Sequence, residues 1–154
     1  MRTPLILLGT ALVAAVAGCG STTGTAAPAA VTSAPAAVRV ETAQSSLGPI
    51  LTDQNGRTLY AFVNDKGGTS SCTGDCIATW PALVSRTPVT VGTGADKTLL
   101  SQTNRAEGTV QATYNNWPLY YYVGDVGPGD IDGQGVDGAW FVIGTDGKLI
   151  KTTT

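Results

Sequence analysis

The chain has 154 residues, a length typical of one domain. It carries 9 Lys and Arg against 11 Asp and Glu, and this balance argues against nucleic-acid binding, which usually depends on clustered basic residues. It contains no histidine, which excludes a Ser-His-Asp triad and any histidine base.

The first 18 residues predict a secretory signal peptide. Arg2 precedes an apolar run from Leu5 to Ala17, and small residues lead into Cys19. This order is typical of secretion signals, and the run is shorter than the roughly 20 apolar residues that span a bilayer. The segment resembles the lipobox of bacterial lipoproteins. The resemblance implies cleavage before Cys19 and a diacylglycerol thioether on its sulfur.

A flexible tether is predicted to follow the signal peptide. Residues 20–37 contain no charged and no aromatic residue. Such a composition cannot offset the conformational entropy that ordering would cost. Residues 19–37 are therefore interpreted as the lipidated cysteine and its tether, and residues 38–154 as the folded domain.

From Val38 onward the sequence predicts an all-β domain. Short runs of β-branched and aromatic residues alternate with Gly, Asn and Asp. Asn55-Gly56, Asn115-Asn116 and Asp146-Gly147 predict tight turns, the second turning residues 110–114 back onto 119–123. A short helical turn is expected around Asp75–Thr79, close to two cysteines.

The domain contains an internal repeat with an offset of 60 residues. Residues 59–67 align with 119–127, and the same offset places Trp80 on Trp140. The two copies are estimated at about 48–85 and 108–150. Two copies in one chain predict a small pseudo-twofold β sandwich or barrel-like sheet.

The part of the repeat that the two copies share is predicted to form a strand with two apolar faces. In a strand, Tyr60 and Phe62 share one face while Leu59 and Ala61 share the other, and Tyr120 and Tyr122 repeat this in the second copy. Two apolar faces favour a central strand packed on both sides. Alternatively, the same aromatic residues line a ligand groove.

Residues beyond the strand have expected roles in the same architecture. Asp65 and Asp125 stand at its end in the two copies and are expected to accept hydrogen bonds from turn N–H groups. Trp80 and Trp140 are expected to pack against the aromatic face.

Four motifs in order resemble those of a family of predicted secreted lipoproteins built from a repeat with a Y-x-[FWY]-x-x-D motif. Residues 60–65 and 120–125 fit that motif. Residues 72–81 fit the C-x-x-x-C-x-x-x-W-P element of the family, and residues 133–140 fit its Gly-Gln-Gly stretch before a Trp. The resemblance covers residues 48–150, and it implies a secreted lipoprotein of largely uncharacterised role, in some members near electron-transfer components of the envelope.

Cys72 and Cys76 leave three interpretations open. An even number of cysteines outside the cytoplasm favours a disulfide, and a spacing of four residues on a turning segment permits one. An exchangeable disulfide and a thiolate site for a metal such as copper(I) are the alternatives. Zinc is disfavoured because it prefers four Cys or His ligands.

The Gly-rich segment 125–138 carries four carboxylates, on Asp125, Asp130, Asp132 and Asp137. It is interpreted as a solvated, turn-rich loop. Calcium binding is the alternative, because flexible loops of oxygen ligands suit that ion, but the spacing of an EF-hand is absent.

Together these features predict a non-enzymatic binding or interaction domain of the cell envelope. The sequence shows no nucleotide-binding motif and implies no cofactor. The expected partners are the membrane, through the lipid, and an envelope protein or small ligand. The alternative is an accessory to extracytoplasmic electron transfer or metal handling.

The lipid anchor can be tested by replacing Cys19 with Ala. We expect the variant to lose incorporation of labelled palmitate and to appear in the soluble fraction, because acyl chains contribute about 0.8 kcal/mol per buried CH₂ to membrane binding. The measurement is cell fractionation with immunoblotting. A variant that remains in the membrane fraction would contradict the anchor.

Overall fold

A computed structural model describes residues 37–65 and 67–152. The predicted signal peptide, Cys19 and almost all of the tether lie outside the described residues. Within those two ranges, no helix combines the length and the apolar character needed to cross a membrane.

The predicted all-β fold with a short helix near the cysteines is confirmed. Helix α1, Asp75–Thr79, contains Cys76, and a 3₁₀ turn covers Val136–Gly138. The described strands are β1 (Arg39–Ser45), β2 (Gly48–Asp53), β3 (Tyr60–Phe62), β4 (Thr90–Val91), β5 (Leu100–Asn104), β6 (Val110–Tyr114), β7 (Trp117–Pro118) and β8 (Trp140–Val142).

The strands form three small sheets, in the orders β2-β1-β4, β3-β8 and β5-β6-β7. Strands β1 and β2 make an antiparallel hairpin, and β5 and β6 make the corresponding hairpin of the second repeat. Strand β4 runs parallel to β1. Isolated bridges from Ile50 of β2 to Gly144, just after β8, and from Tyr60 of β3 to Tyr120, just after β7, connect segments of the three sheets.

The pseudo-twofold axis passes between Tyr60 and Tyr120. The N–H of Tyr60 donates to the carbonyl of Tyr120 at 2.8 Å, and the N–H of Tyr120 donates to the carbonyl of Tyr60 at 2.9 Å. These two residues occupy the same place in the two repeats, so the antiparallel pair they form is related to itself by the axis. Residues that are 60 positions apart in the sequence are therefore related by a pseudo-twofold axis in the backbone.

Around this axis the repeats exchange strands. In the first repeat, Tyr60 of β3 pairs with Val142 of β8, which belongs to the second repeat. In the second repeat, Tyr120 pairs with Ala82, the first-repeat counterpart of Val142. The central strand of each copy thus pairs with the tryptophan segment of the other copy, and not with the tryptophan segment of its own copy.

The pairing of the second hairpin differs from the prediction. Asn115 and Asn116 take φ angles of 48° and 63°, which form the expected tight turn. Strand β6 then pairs with Trp117–Pro118, and not with the whole of 119–123. The N–H of Leu119 still donates to the carbonyl of Ala112 at 3.0 Å, but the backbone of the next residue, Tyr120, bonds with Tyr60 instead. Pairing across the pseudo-twofold axis therefore ends the hairpin before residues 119–123 can complete it.

Strand β3 lies between two apolar clusters, as its two apolar faces predict. Leu59 and Ala61 belong to the first cluster, whereas Tyr60 belongs to the second and Phe62 packs against it. The other buried members of the first cluster are Val40, Leu51, Leu83, Val89, Ala112, Tyr114, Leu119 and Ile143. Those of the second cluster are Ile50, Cys72, Trp80, Tyr120, Trp140 and Val142.

Gly133 lets the loop of the second repeat lie directly on the second cluster. A Cβ atom at this position would stand 2.8 Å from Cζ of Tyr60 and 2.9 Å from Cη2 of Trp80. Both rings are fully or almost fully buried, so neither can move aside without disturbing its neighbours.

We predict that Gly133→Ala lowers the free energy of unfolding by about 1–3 kcal/mol, the usual effect of overpacking a core. The measurement is a urea unfolding curve followed by tryptophan fluorescence. Gly127→Ala is the matched control, because the nearest atom to its added Cβ is an Asp130 oxygen at 3.7 Å. Equal stability of the two variants would contradict the close contact at Gly133.

Candidate functional site

The tyrosine of each repeat motif binds the aspartate of the other motif. The Tyr120 hydroxyl donates to Oδ2 of Asp65 at 2.6 Å. The Tyr60 hydroxyl donates to Oδ2 of Asp125 at 2.8 Å. The motif that defines the repeat therefore describes an exchanged pair of hydrogen bonds, in which each copy supplies one donor and one acceptor.

The second oxygen of each aspartate holds the loop that follows the motif. Oδ1 of Asp65 accepts the backbone N–H and the hydroxyl of Ser71, both at 2.7 Å. Oδ1 of Asp125 accepts the backbone N–H of Asp132 at 3.0 Å. The predicted turn role of the two aspartates is thus confirmed, and each one links its own loop to the strand of the opposite copy.

Burial determines the protonation of these groups. Desolvation, followed by the hydrogen bond to Asp125, raises the pKa of the Tyr60 hydroxyl far above its ordinary value of 10.0. Desolvation and the hydrogen bond to Asp65 raise the pKa of Tyr120 in the same way. Burial also raises the pKa of Asp125. The two phenols therefore remain donors at any physiological pH.

Four aromatic rings form a continuous stack across the axis, in the order Phe62, Trp140, Trp80, Tyr122. The central Trp80 and Trp140 rings are parallel to within 3°, with centroids 3.9 Å apart. Phe62 stacks on Trp140 and Tyr122 on Trp80, each at 4.4 Å. The predicted packing of the tryptophans on the aromatic face is confirmed, and each tryptophan packs on the strand of the other copy.

The motif tyrosines complete this cluster with their edges. Tyr60 meets Trp80 at 5.4 Å and 75°, and Tyr120 meets Trp140 at 5.2 Å and 89°. Edge-to-face contacts of this kind contribute about 0.5–1.5 kcal/mol beyond the burial of area. All the aromatic residues of the repeat motif therefore belong to one assembly.

Cys72 and Cys76 are joined by a disulfide, with their Cα atoms 5.3 Å apart. Cys72 is buried in the second cluster with Trp80, whereas Cys76 is half-buried on α1. The bond therefore fixes α1 against the aromatic stack. Of the three interpretations that the sequence leaves open, the structural and the exchangeable disulfide both agree with this bond, whereas the metal site requires two free thiolates.

A buried arginine, Arg105, joins the disulfide loop to the tyrosine–aspartate pair. Its guanidinium donates to the carbonyl of Cys72 at 2.7 Å, to Oε1 of Gln111 at 2.8 Å and to Oγ of Ser70 at 2.7 Å. Ser70 in turn bonds to the Tyr120 hydroxyl at 2.7 Å. No pattern in the sequence indicates this role of Arg105, because a single arginine after a strand carries no motif.

The four carboxylates of the acidic loop do not converge. Oδ2 of Asp130 accepts the N–H groups of Val126 and Gly127 at 2.9 and 2.8 Å, and Asp125 is bound as described above. Asp132 and Asp137 are exposed. Within residues 37–65 and 67–152, no group of three or more Cys, Asp or Glu residues could hold a metal ion. The contacts accordingly favour the turn-rich loop over the calcium alternative.

The Gly-Gln-Gly stretch serves to hold β8. The Gln134 side chain accepts the N–H of Val142 at 2.9 Å and donates to the carbonyl of Ile150 at 2.6 Å. It thereby positions the tryptophan segment of the second repeat, the task that the disulfide performs in the first.

A surface cleft of about 530 Å³ opens beside the aromatic stack. Its lining combines three motif aromatics with residues of α1 and of the 3₁₀ turn: Phe62, Asn64, Asp75, Cys76, Thr79, Trp80, Asp137, Ala139 and Trp140. Both readings of the aromatic residues therefore apply, since they build the core and also line a groove. This cleft is the candidate functional site.

The geometry defines a β domain made of two exchanged copies of one repeat. A family model described as a secreted repeat of unknown function, Lipoprotein_15, matches residues 41–84 and 101–143. These ranges cover more than half of the chain, and the protein belongs to this family. No curated protein and no solved structure matches the chain.

The matched ranges begin seven residues before the copies estimated from the motifs, at 41 against 48 and at 101 against 108. Most of the additional residues lie in β1 and β5, which carry no motif but form the first strand of each hairpin.

We predict that Tyr120→Phe lowers the free energy of unfolding by about 1–3 kcal/mol, because it leaves a buried oxygen of Asp65 without its donor. The measurement is equilibrium unfolding in urea. Tyr122→Phe is the control, since it reproduces Phe62 of the first repeat, and the Tyr122 hydroxyl has no hydrogen-bond partner among the described residues. Equal effects of the two substitutions would contradict the importance of the exchanged bond.

Proposed function

We propose that the protein is an extracytoplasmic lipoprotein, held at the membrane through Cys19, whose β domain binds a small ligand or an envelope protein and does not catalyse a reaction. Membership of a secreted family supports the extracytoplasmic location. The lipobox-like segment before Cys19 and the uncharged residues 20–37 support the anchor and the tether.

The observation that carries the binding role is the cleft at the aromatic stack. Sites for small molecules usually have volumes of about 300–1,000 Å³ and are lined mainly by apolar and aromatic side chains with a few polar groups. This cleft falls in that range with about 530 Å³, and it combines three aromatic side chains with the polar ones of Asn64, Asp75, Thr79 and Asp137. The cleft also lies where α1 and the 3₁₀ turn, one from each repeat, border the same aromatic rings, those of Phe62, Trp80 and Trp140.

The state of the motif residues supports a role without catalysis. The Tyr60 and Tyr120 phenols are held protonated and donate to carboxylates, and both carboxylates also accept backbone N–H groups. Groups bound in this way maintain structure. A catalytic acid or base would need a free proton-transfer path to a substrate.

A second candidate is an accessory role in extracytoplasmic electron transfer or metal handling. It is favoured by the contact between the disulfide and the aromatic cluster, in which Cys72 is buried with Trp80 and Cys76 lines the cleft. Elemental analysis and voltammetry of the purified protein test it. A protein without bound metal and without a reversible redox transition would contradict this candidate.

The binding role can be tested by a thermal-shift screen with a panel of small cationic, neutral and anionic organic compounds. A ligand at 100 times its dissociation constant should stabilise the fold by about 2.7 kcal/mol and raise the melting temperature by several degrees. Thr79→Tyr should abolish the shift, because Thr79 is exposed on α1 and lines the cleft.

Thr73→Tyr is the matched control for this screen, since Thr73 is also exposed but lies outside the cleft lining. It should keep the response of the wild type. If no compound distinguishes the wild type from Thr79→Tyr, ligand binding in the cleft is wrong.

A further inference from the structure

The ionisable side chains in the described lining of the cleft are all carboxylates. Among the described residues of its lining, Asp75 and Asp137 are the ionisable ones, and both are exposed. Within the described part of the chain, neither carboxylate takes part in a hydrogen bond or ion pair through its side chain. Two carboxylates thus border the aromatic rings without a hydrogen-bond or ion-pair partner among the described residues.

Three other surface clefts differ from this one in charge. One is lined by Lys97, a second by Arg86, and a third by Lys148 and Lys151. None of these three has a carboxylate in its described lining. Negative charge is therefore a local property of the cleft at the stack, and it would raise the local concentration of cations there.

The aromatic wall, formed by the three rings of the lining, adds a second preference for positive charge through Phe62, because Trp80 and Trp140 are each stacked on both faces. Phe62 is half-buried and stacks by one face on Trp140, so its other face is not used by the stack. The face of an aromatic ring attracts a cation with about 0.5–1 kcal/mol at exposed sites and with more when water is excluded. Aromatic rings and carboxylates side by side are complementary to a cation that is large and partly apolar.

A metal ion fits this lining poorly. Calcium takes six to eight oxygen ligands and magnesium requires an octahedron of them, whereas the described side chains of the lining offer two exposed carboxylates, one amide and one hydroxyl. No set of three metal-ligating side chains occurs in residues 37–65 and 67–152. An organic ammonium group needs no such coordination shell, because its charge is spread over its alkyl surface.

We infer that the cleft at the aromatic stack binds a small organic cation of the alkylammonium class, with its charge between Asp75 and Asp137 and its alkyl groups on the aromatic wall. This inference rests on the binding function proposed above and names the chemical class of the ligand. It assigns a direct role to two aspartates that lie outside the repeat motif.

The test uses the full-length chain in non-ionic maltoside micelles, which add no cationic headgroup. The probe is choline, and its uncharged isostere 3,3-dimethyl-1-butanol and the anion propionate are compared with it. Binding is followed by NMR through the indole N–H signals. Trp80 and Trp140 line the cleft, whereas Trp117 lines a different one and serves as an internal reference.

We expect choline to shift the Trp80 and Trp140 signals with saturation, while Trp117 remains unchanged and the two other probes give no saturation. Asp75→Asn and Asp137→Asn should each raise the dissociation constant for choline by about two- to fivefold, the range for exposed ion pairs. Asp132→Asn is the charge-matched control outside the cleft, and it should change the constant by less than twofold. Binding should also weaken as salt shortens the screening length from about 30 Å to about 8 Å.

Two outcomes would overturn the inference. If 3,3-dimethyl-1-butanol or propionate binds as tightly as choline, the preference for a cation is wrong, while the proposed binding function stands. If choline at 50 mM leaves the Trp80 and Trp140 signals unchanged, the cation site is also wrong. The thermal-shift screen with Thr79→Tyr then decides separately whether the cleft binds any small molecule.

Discussion

The structure depends on a hydrogen bond that each repeat makes to the other, from the tyrosine of one motif to the aspartate of its counterpart. The bonds from Tyr120 to Asp65 and from Tyr60 to Asp125 lie on either side of the axis where the two tyrosines also pair through their backbones. The same aspartates hold the loops that lead to the two tryptophan segments, through Ser71 and through Asp132. Strand pairing, loop position and the aromatic stack are therefore coupled at one point.

Much of this arrangement could be predicted from the sequence, because it follows from local patterns. The alternation of Leu59, Tyr60, Ala61 and Phe62 placed the two faces of β3 correctly, and the position of Asp65 indicated a turn acceptor. The exchange between the copies could not be predicted in this way. Two identical motifs offer identical donors and acceptors, so spacing cannot tell whether a tyrosine binds its own aspartate or the other one.

Three further features depend on long-range contacts that local sequence patterns do not contain. Strand β7 ends at Pro118 because the residues after it pair across the axis, a long-range constraint that the turn at Asn115 does not contain. Arg105 is buried by parts of both repeats, forms an ion pair with Glu107, and donates hydrogen bonds to Gln111, Ser70 and the Cys72 carbonyl. Its role exists only in the folded arrangement. The cleft has the same origin, since α1 and the 3₁₀ turn meet at rings supplied by both copies.

The exchange of strands around Tyr60 and Tyr120 gives each copy a surface that is complementary to itself. Such an isologous surface is the kind found at the twofold interface of a homodimer. In this respect the protein resembles a homodimer whose two subunits are joined in one polypeptide. Covalent linkage replaces a concentration-dependent association by an intramolecular one, with an effective concentration set by the connecting segment. It also allows the two copies to differ in sequence, so that one carries a disulfide where the other uses a glutamine, and the cleft at the aromatic stack can be asymmetric.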